Sequence, residues 1–152
     1  MPEIKIRPAR FDEPAVVALL VHVLAELADR YGGTGDDTPV AADDFAPPNG
    51  AFFVAAEDGE LIGCAGWRRH GAEAELKRMF TAKAARGRGL GRRLLATIED
   101  SARAAGCERV ILETGDRQPE AVGLYESAGY ARIGDFGFYA GAQGVLSFAK
   151  PL

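Results

Sequence analysis

The first third of the chain has the hydrophobic pattern of a strand followed by a helix. Ile4 and Ile6 alternate with charged residues, which predicts a short strand with one buried face. Segment 15–28 is apolar on nearly every side and contains no helix breaker, so we expect a heavily buried helix that ends near Tyr31. Segment 35–50 contains four aspartates and three prolines, a composition typical of a loop.

Three apolar runs in the middle of the chain, at 51–57, 61–69 and 74–81, predict the strands of an antiparallel meander. Asp58 and Gly59 separate the first two runs, and this dipeptide supplies the positive φ angles of a type I′ hairpin turn. The three strands should therefore be neighbours in one sheet.

The second half of the chain alternates helical and strand patterns. A helix is predicted over 89–105, because its apolar residues recur at four-residue spacing. A strand with an unbroken apolar run follows at 107–113, then a shorter helix at 119–127 and closing strands at 130–133 and 145–149. This order predicts an α/β fold with a sheet of mixed direction, in which the crossover helix joins two parallel strands.

Composition narrows the class of protein. The 152 residues correspond to one domain, and 47% hydrophobic with 26% charged residues is typical of a globular protein with its own core. The formal net charge of −4 argues against a general nucleic-acid binder, because a phosphate backbone is bound mainly by surplus lysine and arginine. Cys64 and Cys107 lie in apolar runs far from either histidine, so we interpret them as reduced core residues and expect no metal site.

A glycine-rich basic loop, RGRGLGR at 86–92, precedes the predicted helix of the second half. Backbone N–H groups cluster at a helix N-terminus, where about half a positive charge accumulates, and glycines let a phosphate approach the main chain closely. Arg86, Arg88 and Arg92 can add charge-assisted hydrogen bonds. The loop therefore predicts a phosphate site, with a solvent-exposed basic turn as the alternative.

Two familiar phosphate motifs fit this loop poorly. A dinucleotide fingerprint that begins at Gly87 requires glycine where Arg92 stands, although Glu113 lies at about the right distance to be its acidic partner. A P-loop requires Gly-Lys-Ser/Thr after four intervening residues, and the chain has no such sequence.

A third pattern, R/Q-x-x-G-x-G/A, is met by Arg86, Gly89 and Gly91, and here the sequence resembles the GNAT superfamily of acyl-CoA-dependent N-acetyltransferases. Similar features follow in order between Ala74 and Tyr130: the strand AELKRMFTA, the loop and helix RGRGLGRRLLATIE, the strand VILETG and the helix-turn LYESAGY. The resemblance implies one domain over residues 1–152, with a mixed, mostly antiparallel central sheet flanked by helices on both faces.

Acetyl-CoA is the co-substrate that this resemblance implies. Its pyrophosphate would lie over the glycine loop, and the amides of Met79 and Thr81 would pair with pantetheine as though it were another strand. The implied cofactor-binding residues are Met79, Phe80, Thr81, Arg86, Gly87, Arg88, Gly89, Leu90, Gly91, Arg92 and Thr114.

Glu75 is the candidate base. A lysine-like amine has a pKa near ~10.4, so only about one molecule in a thousand is nucleophilic at neutral pH without help. Glu75 lies eleven residues before Arg86, a spacing similar to that of the glutamate that acts through water in histone-acetylating members of the superfamily. A cross-strand ion pair with Lys77 or Arg68 is the alternative role.

Tyr125 is the candidate acid. It falls in Leu-Tyr-Glu, where many GNAT enzymes place a tyrosine whose hydroxyl donates to the thiolate sulfur. The alternative is an aromatic anchor that packs its helix on the sheet. Trp67 and Tyr139, together with Glu75, are candidates for lining the acceptor pocket, and ordinary sheet aromatics are the alternative for the first two. The acidic residues at 36–37 would attract a cationic acceptor, unless they are solvated loop acids.

These features favour an N-acetyltransferase that moves an acetyl group from acetyl-CoA to a primary amine by direct attack. A non-catalytic acyl-CoA-binding sensor or regulatory module is the alternative. The expected partner is a small-molecule or peptide amine. The protein itself is expected to be a monomer or a homodimer. We expect no nucleic-acid partner, because aromatics do not interleave with the basic residues. Segment 1–10 is charged and has no long apolar run, so it is predicted to be neither a signal peptide nor a membrane anchor. We therefore expect a cytoplasmic protein.

Overall fold

In the computed structural model, which describes residues 3–33 and 35–152, seven strands form one sheet with helices on both faces. The strands are β1 (Ile4–Pro8), β2 (Gly50–Glu57), β3 (Glu60–His70), β4 (Glu73–Thr81), β5 (Arg109–Gly115), β6 (Ala131–Ile133) and β7 (Val145–Pro151). The helices are α1 (Pro14–Tyr31), α2 (Leu90–Ala104) and α3 (Pro119–Ser127), and short 3-10 turns span Ala42–Phe45 and Lys83–Ala85.

The strand order confirms the predicted topology. The sheet runs β1-β2-β3-β4-β5-β7-β6, in which β4 and β5 are parallel and every other neighbouring pair is antiparallel. α2 is the crossover between the two parallel strands. Asp58 and Gly59 have φ angles of 52° and 80°, the positive values that a type I′ hairpin turn requires.

The two faces of the sheet carry separate hydrophobic clusters. Successive side chains of a strand point to opposite faces, so the neighbours Cys64 and Ala65 on β3 belong to different clusters. Val16 of α1 packs in the cluster that contains Cys64, whereas Leu94 of α2 and Tyr125 of α3 pack in the cluster that contains Ala65. α1 therefore covers one face, and α2 and α3 cover the other.

The expectation of a heavily buried first helix is wrong for half of its surface. Val16, Leu20 and Val23 of α1 are buried, but Val17 and Val21 are 50% and 63% exposed. A helix that lies on one face of a sheet buries a single stripe, and no second layer covers its outer side within the described residues. No helix in the described ranges is long and apolar enough to span a membrane.

β4 and β5 pair over a very short length and then diverge. Their register contains only Ala74 with Val110 and Glu75 with Ile111. Both strands continue beyond this point, so the edge of β4 that faces β5 is left without a strand partner there. β4 is also bulged in this stretch, because Arg78 has a φ of 55° and the pairing with β3 is irregular beside it. The divergence opens a wedge in the middle of the sheet.

Candidate active site

A cleft of about 420 Å³ lies in the wedge between β4 and β5. It is lined by β4 beyond the last residue that pairs with β5, by the loop and first turn of α2, by the end of β5, and by α1 and α3. The cleft brings together nearly all of the predicted acetyl-CoA-binding residues: Met79, Phe80, Thr81, Arg86, Gly87, Gly89, Leu90, Gly91, Arg92 and Thr114.

Arg88 is the predicted cofactor residue that does not line the cleft. Its guanidinium forms an ion pair with Glu57 at the end of β2, which lowers the pKa of that carboxyl below its usual value. The structure thus shows Arg88 facing Glu57, and its contribution to a phosphate site stays a prediction. The sequence correctly placed Arg88 in the loop, but its side chain forms an ion pair with a carboxylate from a distant strand.

The glycine loop leaves a row of backbone donors at the N-terminus of α2. Gly87 and Gly89 have φ angles of 77° and 79°, and Gly89 caps the helix in the left-handed conformation without a side-chain hydrogen bond. Among the described residues, the backbone N–H groups of residues 87–92 make no close, well-aligned hydrogen bond, and Arg93 is the first to do so, to the Gly89 oxygen at 3.1 Å. A bound anion can therefore accept hydrogen bonds from several of these amides. The positive end of the helix dipole would stabilise its charge.

Two arginines of the loop face the cleft and are held in place by neighbouring elements. Arg86 donates from Nε to the Thr81 oxygen at 3.0 Å and from its terminal nitrogen to Glu26 of α1 at 2.8 Å. Arg92 donates to the Ser127 hydroxyl of α3 at 2.7 Å. Both guanidiniums thus lie at the wall of the cleft and join the loop to α1 and α3. Arg86 is paired there with the Glu26 carboxylate, whereas Arg92 forms no ion pair within the described residues.

Tyr125 is buried at the base of the cleft. Its ring lies 5.8 Å from the Tyr130 ring and 6.3 Å from the Phe148 ring, between centroids, so it anchors α3 on the sheet. Its hydroxyl makes no hydrogen bond to another described residue, and the residue lines the cleft. Burial raises the pKa of this phenol, which keeps it protonated and able to donate. The anchoring and the donor role are therefore compatible.

Glu75 is placed outside the residues that line the cleft. It is 3% exposed, and its carboxylate lies 2.9 Å from Arg68 Nε and 3.9 Å from Lys77 Nζ. Both partners of the alternative ion-pair role are thus in contact with it. The role of Glu75 as a base stays a prediction.

A buried charged cluster joins the segment after α1 to β4. Asp36 forms an ion pair with Arg78 and accepts hydrogen bonds from the hydroxyls of Thr38 at 2.6 Å and Tyr139 at 2.8 Å. Lys77 donates to the Thr38 hydroxyl at 3.1 Å and lies 3.9 Å from Asp36. Burial alone would raise the pKa of Asp36, but these cations and hydrogen bonds hold it below its usual value. Asp36 is therefore a charged carboxylate whose charge is balanced by Arg78 and Lys77. The alternative of a solvated loop acid does not apply to it.

The two aromatic candidates for the acceptor pocket lie in different places. Trp67 is 2% exposed, packs in the cluster under α2 and donates from its indole N–H to the Ser101 hydroxyl at 2.9 Å. These contacts support the alternative role of an ordinary sheet aromatic, because the alternation along β3 turns Trp67 into the core. Tyr139 bridges two residues that line the cleft, since its hydroxyl bonds Asp36 and its backbone N–H bonds Glu113 at 3.0 Å.

Glu113 is a cleft residue that the sequence interpretation considered only as an acidic partner for a dinucleotide. It lies on β5 beyond the residues that pair with β4. Its Oε2 accepts the Tyr139 N–H, while its Oε1 is buried and has no hydrogen-bond partner. Burial raises the pKa of this carboxyl. A carboxylate directly after the apolar run at 110–112 is the signal that could have marked it.

The fold and this cleft define an acyl-CoA-dependent N-acyltransferase, and comparison with known proteins agrees. Residues 20–130 match the acetyltransferase (GNAT) family, and the chain belongs to that family. It is 37% identical, over the full length of both chains, to the IAA acetyltransferase of Azospirillum brasilense. It is 33% identical to the N-alpha-acetyltransferase RimI of Mycobacterium tuberculosis, over 80% of this chain and 82% of that one.

Solved structures share this fold. A Klebsiella pneumoniae protein described as an acyl-CoA N-acyltransferase superposes with a TM-score of 0.80 at 27% identity, over 98% of this chain and 97% of that chain. A Bacillus anthracis protein described as a streptothricin acetyltransferase, solved with acetyl coenzyme A, superposes with a TM-score of 0.66 at 21% identity, over 76% and 70%. The expected fold class and the GNAT acyltransferase class of enzyme are confirmed.

Proposed function

We propose that the protein transfers the acetyl group of acetyl-CoA to a primary amine by direct attack of the amine. The observation that carries this proposal is a single cleft lined both by the unbonded amides at the N-terminus of α2 and by Tyr125, a buried residue whose hydroxyl makes no hydrogen bond to another described residue. A diphosphate suits the first feature and a departing thiolate suits the second.

The chain's own residues fit acetyl-CoA along the length of the cleft. The amides of residues 87–92 would bind the pyrophosphate, with Arg86 and Arg92 beside them. Met79 and Thr81 lie on the stretch of β4 that has no strand partner towards β5, where an extended chain can add to the sheet edge. Pantetheine is extended and carries amides, so it suits this edge.

Acetyl-CoA supplies an acetyl thioester, whose carbonyl carbon is open to an amine nitrogen. The Tyr125 hydroxyl donates its proton to the sulfur as the C–S bond breaks. Burial raises the pKa of the phenol, so the hydroxyl stays protonated and available to donate to the developing thiolate. Even a hydrogen bond without full transfer would stabilise the developing negative charge.

The acceptor is an amine of a small molecule or a peptide. Relatives of the chain include a protein named as an N-alpha-acetyltransferase and one named as an IAA acetyltransferase, so the family name alone does not select one acceptor. Glu75 is the base that the sequence predicts, but its contacts with Arg68 and Lys77 support the structural role that was weighed beside it.

A thiol-release assay tests this function. Purified protein is mixed with acetyl-CoA and, one at a time, an arylalkylamine, a polyamine, free lysine and a short peptide with a free N-terminus. The expected result is thiol release above the amine-free background for at least one amine, with that amine gaining the mass of one acetyl group. Acetyl-CoA binding by calorimetry without amine-dependent release for any class would contradict the proposal and favour a non-catalytic acyl-CoA sensor.

A further inference from the structure

One of the four lysines of the chain lines the cleft, and the proposed mechanism does not use it. The four are Lys5, Lys77, Lys83 and Lys150. Lys5 and Lys83 are exposed, and the Lys150 ammonium forms an ion pair with Glu99 at 3.0 Å. Lys77 lies on β4 and is 6% exposed. A primary amine is therefore built into the wall of the cleft.

Lys77 lies at the narrow end of the wedge between β4 and β5. Glu75 is the last residue of β4 that pairs with β5, and Lys77 follows it by two positions. The glycine loop follows the other end of β4, after Thr81. A pantetheine that leads away from this loop and pairs with Met79 and Thr81 would run back along β4. Its thioester would then lie towards Lys77.

The Lys77 ammonium has loose contacts for a buried cation. It donates to the Thr38 hydroxyl at 3.1 Å, which is its only hydrogen bond to another described residue. The carboxylates of Asp36 and Glu75 each lie 3.9 Å away, beyond the distance of about 2.7–2.9 Å that is usual for a hydrogen bond between an ammonium and a carboxylate. An ammonium has three N–H donors, so this nitrogen is not locked into one ion pair.

The surroundings of Lys77 favour its neutral form over that of a lysine in water. Burial lowers its pKa, and the Arg78 charge acts in the same direction. The charges of Asp36, Glu75 and Glu113 oppose this change, but the pKa stays below its usual value. A larger fraction of this amine is therefore nucleophilic at neutral pH than of an exposed lysine.

We infer that Lys77 is a self-acetylation site, which takes the acetyl group of bound acetyl-CoA when no acceptor amine is present. This inference rests on the proposed function, because it requires acetyl-CoA to bind in the cleft as described there. Lys77 first loses one proton to water. Its neutral nitrogen forms the C–N bond, the C–S bond breaks, and Tyr125 gives a proton to the sulfur. The second proton that leaves the nitrogen restores the phenol, so the products are Nε-acetyllysine, CoA and one proton.

Acetylation of Lys77 would change both the charged cluster and the cleft. The acetylated side chain has no charge, so the Asp36 and Glu75 carboxylates lose a cation that lies 3.9 Å from each of them. The added acetyl group also fills space at the narrow end of the wedge, where the thioester of the next acetyl-CoA would lie. The modified protein should therefore turn over the acceptor amine more slowly. Self-acetylation would thus act as a brake when acetyl-CoA is abundant and the acceptor is scarce.

Mass spectrometry of the full chain tests this inference. Wild-type protein is incubated with acetyl-CoA and no amine, and peptide mapping then locates the modified lysines. The expected result is one acetyl group on Lys77, added at least about tenfold faster than on the exposed Lys83, because a bound thioester is held beside the Lys77 amine. An excess of CoA, which carries no acetyl group, occupies the cleft and should slow the reaction at Lys77 but not at Lys83.

Two substitutions of the same kind supply the controls. Lys77→Arg keeps the positive charge and removes the amine, so preincubation with acetyl-CoA should leave its own rate with the acceptor amine unchanged. Lys83→Arg should be acetylated at Lys77 as fast as the wild type, and preincubation should slow both proteins equally. Thermal unfolding shows whether each variant is folded. If Lys77→Arg does not fold, the mapping of the wild-type protein decides the question.

Two failures are distinguishable. A wild-type protein that binds acetyl-CoA and releases thiol with an amine, but is acetylated at Lys77 no faster than at Lys83, overturns this inference alone. A protein that releases no thiol with any amine overturns the proposed function. Acetylation of Lys77 in that protein would still support the inference, whereas a protein that does not bind acetyl-CoA at all would overturn both.

Discussion

The carboxylate of Asp36 and the guanidinium of Arg78 form an ion pair that fastens the segment after α1 to the bulge of β4. Both side chains are largely buried, and Lys77 lies beside them. Replacing Asp36 with Asn would leave two cations in the cluster without their main counter-charge. We expect the free energy of unfolding to fall by about 3 kcal/mol, which urea titration would measure. Asp12→Asn, which disrupts an exposed pair with Arg10, is the control and should change little.

The same ion pair should make stability depend on pH in the acid range. The pKa of Asp36 is lowered in the folded protein, whereas an unfolded aspartate has its ordinary value of 3.8. The unfolded chain therefore binds the proton first as pH falls, so the stabilisation is fully present above about pH 4 and is lost below it. Asp36→Asn should flatten this part of the curve. An unfolding free energy with the same acid dependence in both proteins would contradict this assignment.

Tyr125→Phe tests the donor at the base of the cleft. Removing the hydroxyl should lower kcat about 100-fold, because the thiolate loses its proton donor, while acetyl-CoA affinity is retained. Steady-state kinetics and calorimetry measure the two quantities. Tyr130→Phe is the matched control, since its hydroxyl bonds Glu99 in the core and not the cleft. Unchanged turnover in Tyr125→Phe, with chemistry rate-limiting, would remove Tyr125 from the mechanism.

Glu75→Gln separates a structural carboxylate from a catalytic one. The variant loses the charge that faces Arg68 and Lys77, so the free energy of unfolding should fall by about 2 kcal/mol. Turnover of the folded variant should stay close to wild type across the pH range. A variant of normal stability whose turnover falls sharply would instead support Glu75 as the base.

Gly89→Ala tests the left-handed cap of α2. A φ of 79° is strained for any residue with a Cβ, by about 1 kcal/mol, although the space around this position is open. We expect weaker acetyl-CoA binding and lower stability, because the loop relaxes away from the geometry that presents its amides. Gly123→Ala is the control: it lies in α3 with open space around it and should stabilise the protein by about 0.5 kcal/mol. Tighter acetyl-CoA binding in Gly89→Ala would contradict the proposed cradle.

Local patterns were enough to predict two of the turns and helices of the fold. The hairpin at Asp58 and Gly59 and the helix after the glycine loop depend on neighbouring residues, so one stretch of sequence contains their cause. The local pattern around Glu113 shows a carboxylate near the end of a strand, but not its surroundings in the fold. Its missing hydrogen bond depends on Tyr139 and Gly137, which approach it from a distant segment.

Side-chain partners from distant parts of the chain explain most of the remaining differences between sequence and structure. Arg88 pairs with Glu57, thirty-one residues away, and Trp67 bonds Ser101 on a helix that follows the cleft loop. Neither partner shares a local pattern with the residue it contacts. The exposed side of α1 has the same origin, because the number of layers around a helix depends on the whole fold.

The central claim is that the backbone amides of residues 87–92 bind the diphosphate of CoA. Titration of the isotope-labelled protein with CoA, followed by amide NMR, tests it most directly. The account predicts that CoA causes the largest changes in amide chemical shift at Gly87, Gly89, Leu90 and Gly91. Pantetheine without the nucleotide should leave the chemical shifts of these amides unchanged. The claim would be contradicted if saturating CoA left the chemical shifts of these amides unchanged and shifted the amides of another surface.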